Sequence, residues 1–243
     1  MFLELTDNII LKDCFETVGK IIDEIILECD SEGMRLRALD RSHITFVEMD
    51  LKGSLFDEYK CEKPEKIVVD STELTKILKR CNSKDILRLE TDDSYLILKF
   101  EGDSSRTFKL ALIDNEYESA VPPSIEHPVS VPIPTNILEE ILKDMELFGE
   151  TLSFTVDEDY LICNGTSELG DSETKYLHGE HVSEVVRSVF NIAKIKDMLT
   201  AKKLSKLVTL KLGNDMPLIM NFNISNGEGK LEFLLAPRLE MDE

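Results

Sequence analysis

The sequence predicts an α+β fold: two similar domains of antiparallel sheet with two helices each. Three observations carry this. A cluster of prolines divides the 243 residues nearly in half. Both halves repeat one order of helix and strand patterns, and their last two strands are joined by a polar turn of hairpin type. The boundaries this implies are a domain at 1–115, a connector at 116–130 and a second domain at 131–243, each domain close to the usual size of one.

In the first half, Leu11, Cys14, Phe15, Val18 and Ile22 recur at three- and four-residue steps and predict an amphipathic helix. MRLRALDRSHITFVEMDL then reads as extended segments broken by polar turns, with alternation clearest at Met34, Leu36 and Ala38. In VDSTELTKILKRC, Leu74, Ile77, Leu78 and Cys81 fall at i, i+3, i+4 and i+7, which predicts a second helix with Asp70 or Ser71 placed to cap it. ILRLETDDSYLILKF follows as a strand pair about an Asp-rich turn.

Pro122, Pro123, Pro128, Pro132 and Pro134 come next. Proline cannot donate to a ladder, so this stretch predicts a connector or a domain edge. The order then repeats. Ile137, Leu138, Ile141, Leu142 and Met145 form the stripe of a third helix, DYLICNGTSELG is extended, FNIAKIKDMLTAKK is a fourth helix, and LVTLKLGNDMPLIMNF is a second hairpin.

The formal charge is −20, from 48 acids and 28 bases, which excludes phosphate binding by the whole surface. Any nucleic-acid contact must be local. Residues 71–81 and 191–206 together hold eight bases and two acids, +6, leaving −26 elsewhere. Alone, either segment is a surface helix with a basic polar face. Together they occupy equivalent places in a duplicated fold.

Met1 opens no charged-then-apolar leader, and no apolar run approaches the ~20 residues that cross a bilayer, so a soluble intracellular protein is expected. Cys14, Cys29, Cys61, Cys81 and Cys163 are odd in number and lack a C-x-x-C, as for reduced core residues. The sequons at Asn164 and Asn223 are chance matches without a secretory context. Asp40, Ser42 and His43 do not make a hydrolase, because triads assemble in space and no G-x-S-x-G elbow is present. His178 and His181 lack a third metal ligand, and GTSELG lacks the P-loop lysine. No catalytic residue, metal or cofactor is expected.

LDRSHITFVEMDL, FDEYKCE, DSTELTKILKR, FKLALID, GTSELG, MPLIMNFNI and the terminal LEFLLAPRLE resemble the proliferating cell nuclear antigen family, the sliding clamps of archaea and eukaryotes. The resemblance covers essentially the whole chain. It implies a homotrimeric ring of six similar domains, a DNA-clamp fold whose helices line a hole threaded by double-stranded DNA without base readout. The channel candidates it implies are Lys12, Lys20, Lys76, Lys79, Arg80, Lys143, Lys194 and Lys196, with Lys202 and Lys203 at a helix end. Glu139, Glu140, Asp144 and Glu146 outnumber Lys143 on its helix.

SRTFKLAL and GDSETKYL align with the family's intersubunit strands, so Arg106, Phe108, Glu173, Lys175 and Leu177 are expected at the subunit interface. The family's hydrophobic pocket takes a short helical peptide with a leading glutamine, an aliphatic residue and paired aromatics. Its counterparts here are Leu39, His43, Ile44, Phe46, Pro122, Pro123, Pro217, Leu234, Ala236 and Pro237. Partners implied are DNA polymerase, clamp loader, flap endonuclease and DNA ligase, without a membrane; the location is the cytoplasm beside the nucleoid in an archaeon, or the nucleus in a eukaryote. A subunit of a heterotrimeric specialised clamp and an acidic adaptor that binds no DNA are the alternatives.

Overall fold

The computed structural model describes residues 1–114, 118–121, 123–182 and 184–238. The chain forms two compact units. The first comprises Met1–His43, Val47–Pro122 and Asn223–Leu231, and the second comprises Ile44–Phe46, Pro123–Phe222 and Glu232–Glu243.

The chain begins with β1 (Phe2–Leu5), α1 (Ile9–Val18), β2 (Glu24–Cys29), β3 (Gly33–Leu39), β4 (Thr45–Lys52), β5 (Glu58–Lys60), β6 (Glu65–Asp70), α2 (Ser71–Leu78), β7 (Ile86–Thr91), β8 (Tyr95–Glu101) and β9 (Ser105–Ala111), all in the first unit except Ile44–Phe46. Strands β5-β1-β7-β8-β9 form an antiparallel sheet, and β2 pairs antiparallel with both β3 and β6. The predicted hairpin is β7–β8. Its turn is held by the Asp92 carboxylate, which accepts from the Ser94 and Tyr95 amides at 2.8 and 2.7 Å.

Helix α2 forms because Leu74 and Leu78 lie one turn apart and are buried at 0% and 1% exposure. The cap is Asp70, whose carboxylate accepts from Glu73 N–H at 2.8 Å. The helix ends at Leu78, so Cys81 is buried just beyond it rather than on its stripe. Likewise α1 stops at Val18, and Ile22 is buried in the turns that follow. Gly19 closes α1 by donating to Phe15 O at 2.9 Å. A Cβ there would meet Thr75 Oγ1 at 3.0 Å, so the glycine permits the close approach of α1 and α2.

The chain continues with β10 (Val129–Pro134), α3 (Thr135–Glu146), β11 (Thr151–Val156), β12 (Tyr160–Ser167), β13 (Gly170–Leu177), β14 (Val186–Asn191), α4 (Ile192–Met198), β15 (Leu207–Leu212), β16 (Leu218–Ile224) and β17 (Gly229–Leu235), all in the second unit except Asn223–Leu231. The sheet β13-β12-β11-β14 is antiparallel, as are the pairs β10–β15 and β15–β16. The last pair is the second predicted hairpin. Helix α3 buries Leu138, Ile141, Leu142 and Met145, each worth roughly 1.5–3 kcal/mol of transfer free energy. The expected helix over 191–206 is shorter: α4 ends at Met198 and a 3-10 segment covers Leu199–Lys203.

Pro132 and Pro134 lie in a strand, not a loop. Thr135 N–H donates to Lys206 O at 3.0 Å, which fixes the parity of the β10–β15 ladder. Steps of two residues turn Ile133 and Val131 toward β15, and the prolines away from it. Because β10 is the end strand of its sheet, no donor is required where proline lacks one.

Candidate nucleic-acid interface

Unit 1 presents Lys12, Lys20, Lys76, Lys79 and Arg80 on or beside α1 and α2. Lys12 Nζ donates to Cys81 O at 2.8 Å. Lys76 pairs with Glu73 at 2.7 Å within α2, and Lys79 reaches Glu16 of α1 at 3.2 Å. These are exposed, exchangeable pairs, each worth at most about 1 kcal/mol. Arg80 is exposed and makes no ion pair among the described residues.

Unit 2 presents Lys143 on α3, Lys194 and Lys196 on α4, and Lys202 and Lys203 on the 3-10 segment. Asn191 caps α4, accepting from Lys194 N–H at 3.1 Å. Acids of α3 meet these bases. Lys143 lies 2.7 Å from Glu140, Lys196 2.6 Å from Glu146, and Lys202 2.6 Å from Glu139. The bond from Lys202 holds the Glu139 carboxyl below the usual carboxylate range. Sequence reasoning noticed the acids of α3 but not the pairings of Lys196 and Lys202, which join residues 50 and 63 positions apart.

The two segments expected at the subunit interface are both end strands, β9 in unit 1 and β13 in unit 2. Neither buries a single residue. Leu112 N–H donates to Ser94 O at 2.9 Å, which sets the β8–β9 ladder. Arg106 and Phe108 therefore direct their backbone groups at β8, whereas Ser105, Thr107, Lys109 and Ala111 direct theirs outward. The side chain of Arg106 is committed too, donating to Arg80 O at 2.9 Å and pairing with Asp85. Phe108 packs on Phe100 with ring centroids 5.1 Å apart. On β13, His178 N–H donates to Asp159 O at 3.1 Å, so Asp171, Glu173, Lys175 and Leu177 face outward. The outward rungs on β9 are thus residues that sequence reasoning did not name. The alternation of β9 groups Arg106, Phe108 and Leu110 on its half-buried face, but which group directs its backbone at β8 is fixed by tertiary pairing.

Of the apolar set expected to receive a peptide, unit 2 contains Ile44, Phe46, Pro123, Pro217, Leu234, Ala236 and Pro237. Ala236 N–H donates to Ile44 O at 2.9 Å, bringing the C-terminal LAP run against the start of β4. Phe46 and Leu234 are buried at 5% and 6% exposure, while Ile44 is 38% exposed. His127, also in unit 2, bonds Pro217 O through Nε2 at 2.7 Å. In unit 1, Leu39 and His43 line a cleft of about 560 Å³ with Ile22, Asp23, Glu24, Asp40 and Arg41. Pro122 lies outside the described residues.

The polar residues around Asp40 and His178 make local contacts. Ser42 Oγ donates to Asp40 at 2.6 Å, and His43 contributes a backbone N–H to Asp40 O at 2.9 Å, which makes a turn. His178 accepts from Glu180 N–H at Nδ1 and bonds Asp157 O through Nε2, as a loop residue does. All five cysteines are free and buried, and the described residues contain no group of three His, Cys, Asp or Glu able to hold a metal ion. No described helix is long and apolar enough to cross a membrane.

The family described as "Proliferating cell nuclear antigen, N-terminal domain" matches residues 1–119. A DNA polymerase sliding clamp of Methanobrevibacter smithii is 48% identical over 240 residues, covering 99% of this chain and 98% of the relative. One from Methanothermobacter thermautotrophicus is 45% identical with the same coverage. Among solved structures, a chain of the PCNA2–PCNA3 complex from Sulfolobus tokodaii superposes with a TM-score of 0.89 at 27% identity, covering 99% of this chain and 100% of that one. With an antiparallel α+β fold of four helices and relatives matched from end to end, the chain belongs to the archaeal-type DNA polymerase sliding clamps, the proliferating cell nuclear antigen family, whose members are not enzymes.

Proposed function

We propose that three copies of this chain close head to tail into a ring, the outward rungs of β9 in one copy pairing with those of β13 in the next. The observation that carries this is that β9 in unit 1 and β13 in unit 2, the segments the resemblance assigns to the interface, are both end strands of seven and eight residues whose outer backbone groups face no strand among the described residues. Such edges are templates for pairing, and a heterologous pair that closes makes a ring. Duplex DNA threads the ring beside α1 to α4. The phosphates meet Lys12, Lys20, Lys76, Lys79 and Arg80 in unit 1, and Lys143, Lys194, Lys196, Lys202 and Lys203 in unit 2.

The mechanism is topological. A closed ring cannot leave duplex DNA sideways, so weak contacts without base readout suffice and permit sliding. DNA polymerase, clamp loader, flap endonuclease and ligase bind through short peptides that insert apolar side chains over Ile44, Phe46, Leu234 and Pro237. Tethering keeps each enzyme at a high effective concentration on the DNA, beside the nucleoid of the cell. Solution mass measured across dilution tests the ring. A trimer is expected, and a chain that stays monomeric at every concentration would replace the homotrimer with an assembly of unlike subunits.

A further inference from the structure

Two acids of α3 meet lysines of α4 and of the 3-10 segment that follows it. Glu139 and Glu146 are seven residues apart, two helical turns, and so lie on one face of α3. Glu146 holds Lys196 through both carboxylate oxygens, at 2.8 and 2.6 Å, and Glu139 holds Lys202 at 2.6 Å. These are the distances of a charge-assisted bond between an ammonium and an oxyanion, the same bond a phosphate would make. All four side chains are between 32% and 51% exposed, so the pairs are open to exchange with a solvent-borne anion.

We infer that Glu139 and Glu146 are built-in phosphate surrogates that occupy Lys202 and Lys196 and so loosen the grip of α4 and the 3-10 segment on DNA. The inference rests on the DNA-encircling reading above and adds a specificity-determining role to residues which that reading leaves idle. A phosphate reaching either lysine must displace a carboxylate, and it gains only the difference between two similar bonds. The lysine then contributes less than one released counterion to association. In unit 1 the same exchange operates at Lys76, paired with Glu73 of its own helix, and at Lys79, paired with Glu16 of α1. Arg80 makes no ion pair among the described residues, so it meets a phosphate without displacing a carboxylate.

The test compares the intact protein with the double variant Glu139→Gln/Glu146→Gln, both checked for trimer mass and melting. A charge-matched control replaces Glu158 and Glu184, exposed loop acids of the same unit, with Gln. Association with duplex DNA is measured from 50 to 200 mM salt. The double variant should bind more tightly and steepen the log-log slope by up to ~0.9 for each lysine released, beyond the change in the control. Lys196→Ala/Lys202→Ala should flatten the slope in both backgrounds, and by more in the Gln background than in the native one. A slope equal to that of the control, or equal loss from the lysine changes in both backgrounds, overturns the inference while leaving the clamp reading standing. A native protein with no salt-dependent association overturns both.

Discussion

Thr107→Pro separates the edge of β9 from its interior. Thr107 is exposed and lies at a rung whose N–H points away from β8, so proline there removes no bond within the subunit. Pro132 and Pro134 already occupy such rungs on β10. Arg106, which precedes the new proline, is in a strand and meets the restriction that proline imposes on its predecessor. Between subunits the change deletes one backbone hydrogen bond, about 0.5–1.5 kcal/mol net, or about 1–3 kcal/mol where the opposing carbonyl is left buried and unpaired.

Taking about 1–3 kcal/mol, each interface should weaken roughly 5- to 150-fold, and a ring has three of them. Phe108→Pro acts inside the subunit instead. It breaks the rung to Leu98 and removes a half-buried ring packed on Phe100, a loss smaller than the about 3–5 kcal/mol of a fully buried Phe but added to that of the backbone bond. Sedimentation across dilution, with melting followed in parallel, should find Thr107→Pro folded but depleted in trimer, and Phe108→Pro destabilised. The assignment of the outward rungs is refuted if Thr107→Pro keeps the native trimer content at every dilution while Phe108→Pro is a stable monomer.

Replacing Lys76, Lys79 and Arg80 with Ala should leave the trimer intact and flatten the salt dependence of DNA association by up to ~0.9 per lost phosphate contact; an unchanged slope removes α2 from the channel. Ile44→Asp places a carboxylate on a 38% exposed apolar position and should abolish binding of a labelled glutamine-aliphatic-diaromatic peptide without dissociating the ring. Equal peptide affinity would put the pocket elsewhere. Asp85 is held below its ordinary value of 3.8 by the Asn82 amide and then by Arg106. Its contribution is therefore complete above that value and is lost as pH falls through the lower folded value. Acid unfolding followed by circular dichroism should show less loss in this window for Asp85→Asn, and identical curves would refute the coupling.

Much of the fold can be read from the sequence because its signals are local. Leu74 and Leu78 mark α2, Asp70 marks its start, and Asp92 marks the turn of β7–β8 through two amide bonds only two and three residues away. The failures share a different cause. Helix α2 ends before Cys81, which is buried from an otherwise exposed turn, and the stripe cannot tell such a residue from a helical one. Pro132 and Pro134 look like breakers until the ladder with β15 shows that their missing donors point outward. Within the candidate site, the basic residues are visible as charge, but their pairing with α3 is not, since Lys196 and Glu146 meet only after folding. The outward rungs of β9 are hidden for a like reason: parity belongs to the sheet, not to the strand.

The central claim is that the protein stays on DNA by topology rather than affinity. The most direct measurement loads the protein onto a nicked circular duplex, removes the free protein by gel filtration at raised salt, and then cuts the circle at one site. The account predicts retention on the circle and loss from the linear product on the timescale of sliding. Equal dissociation before and after cutting, or equal retention on both, would contradict it.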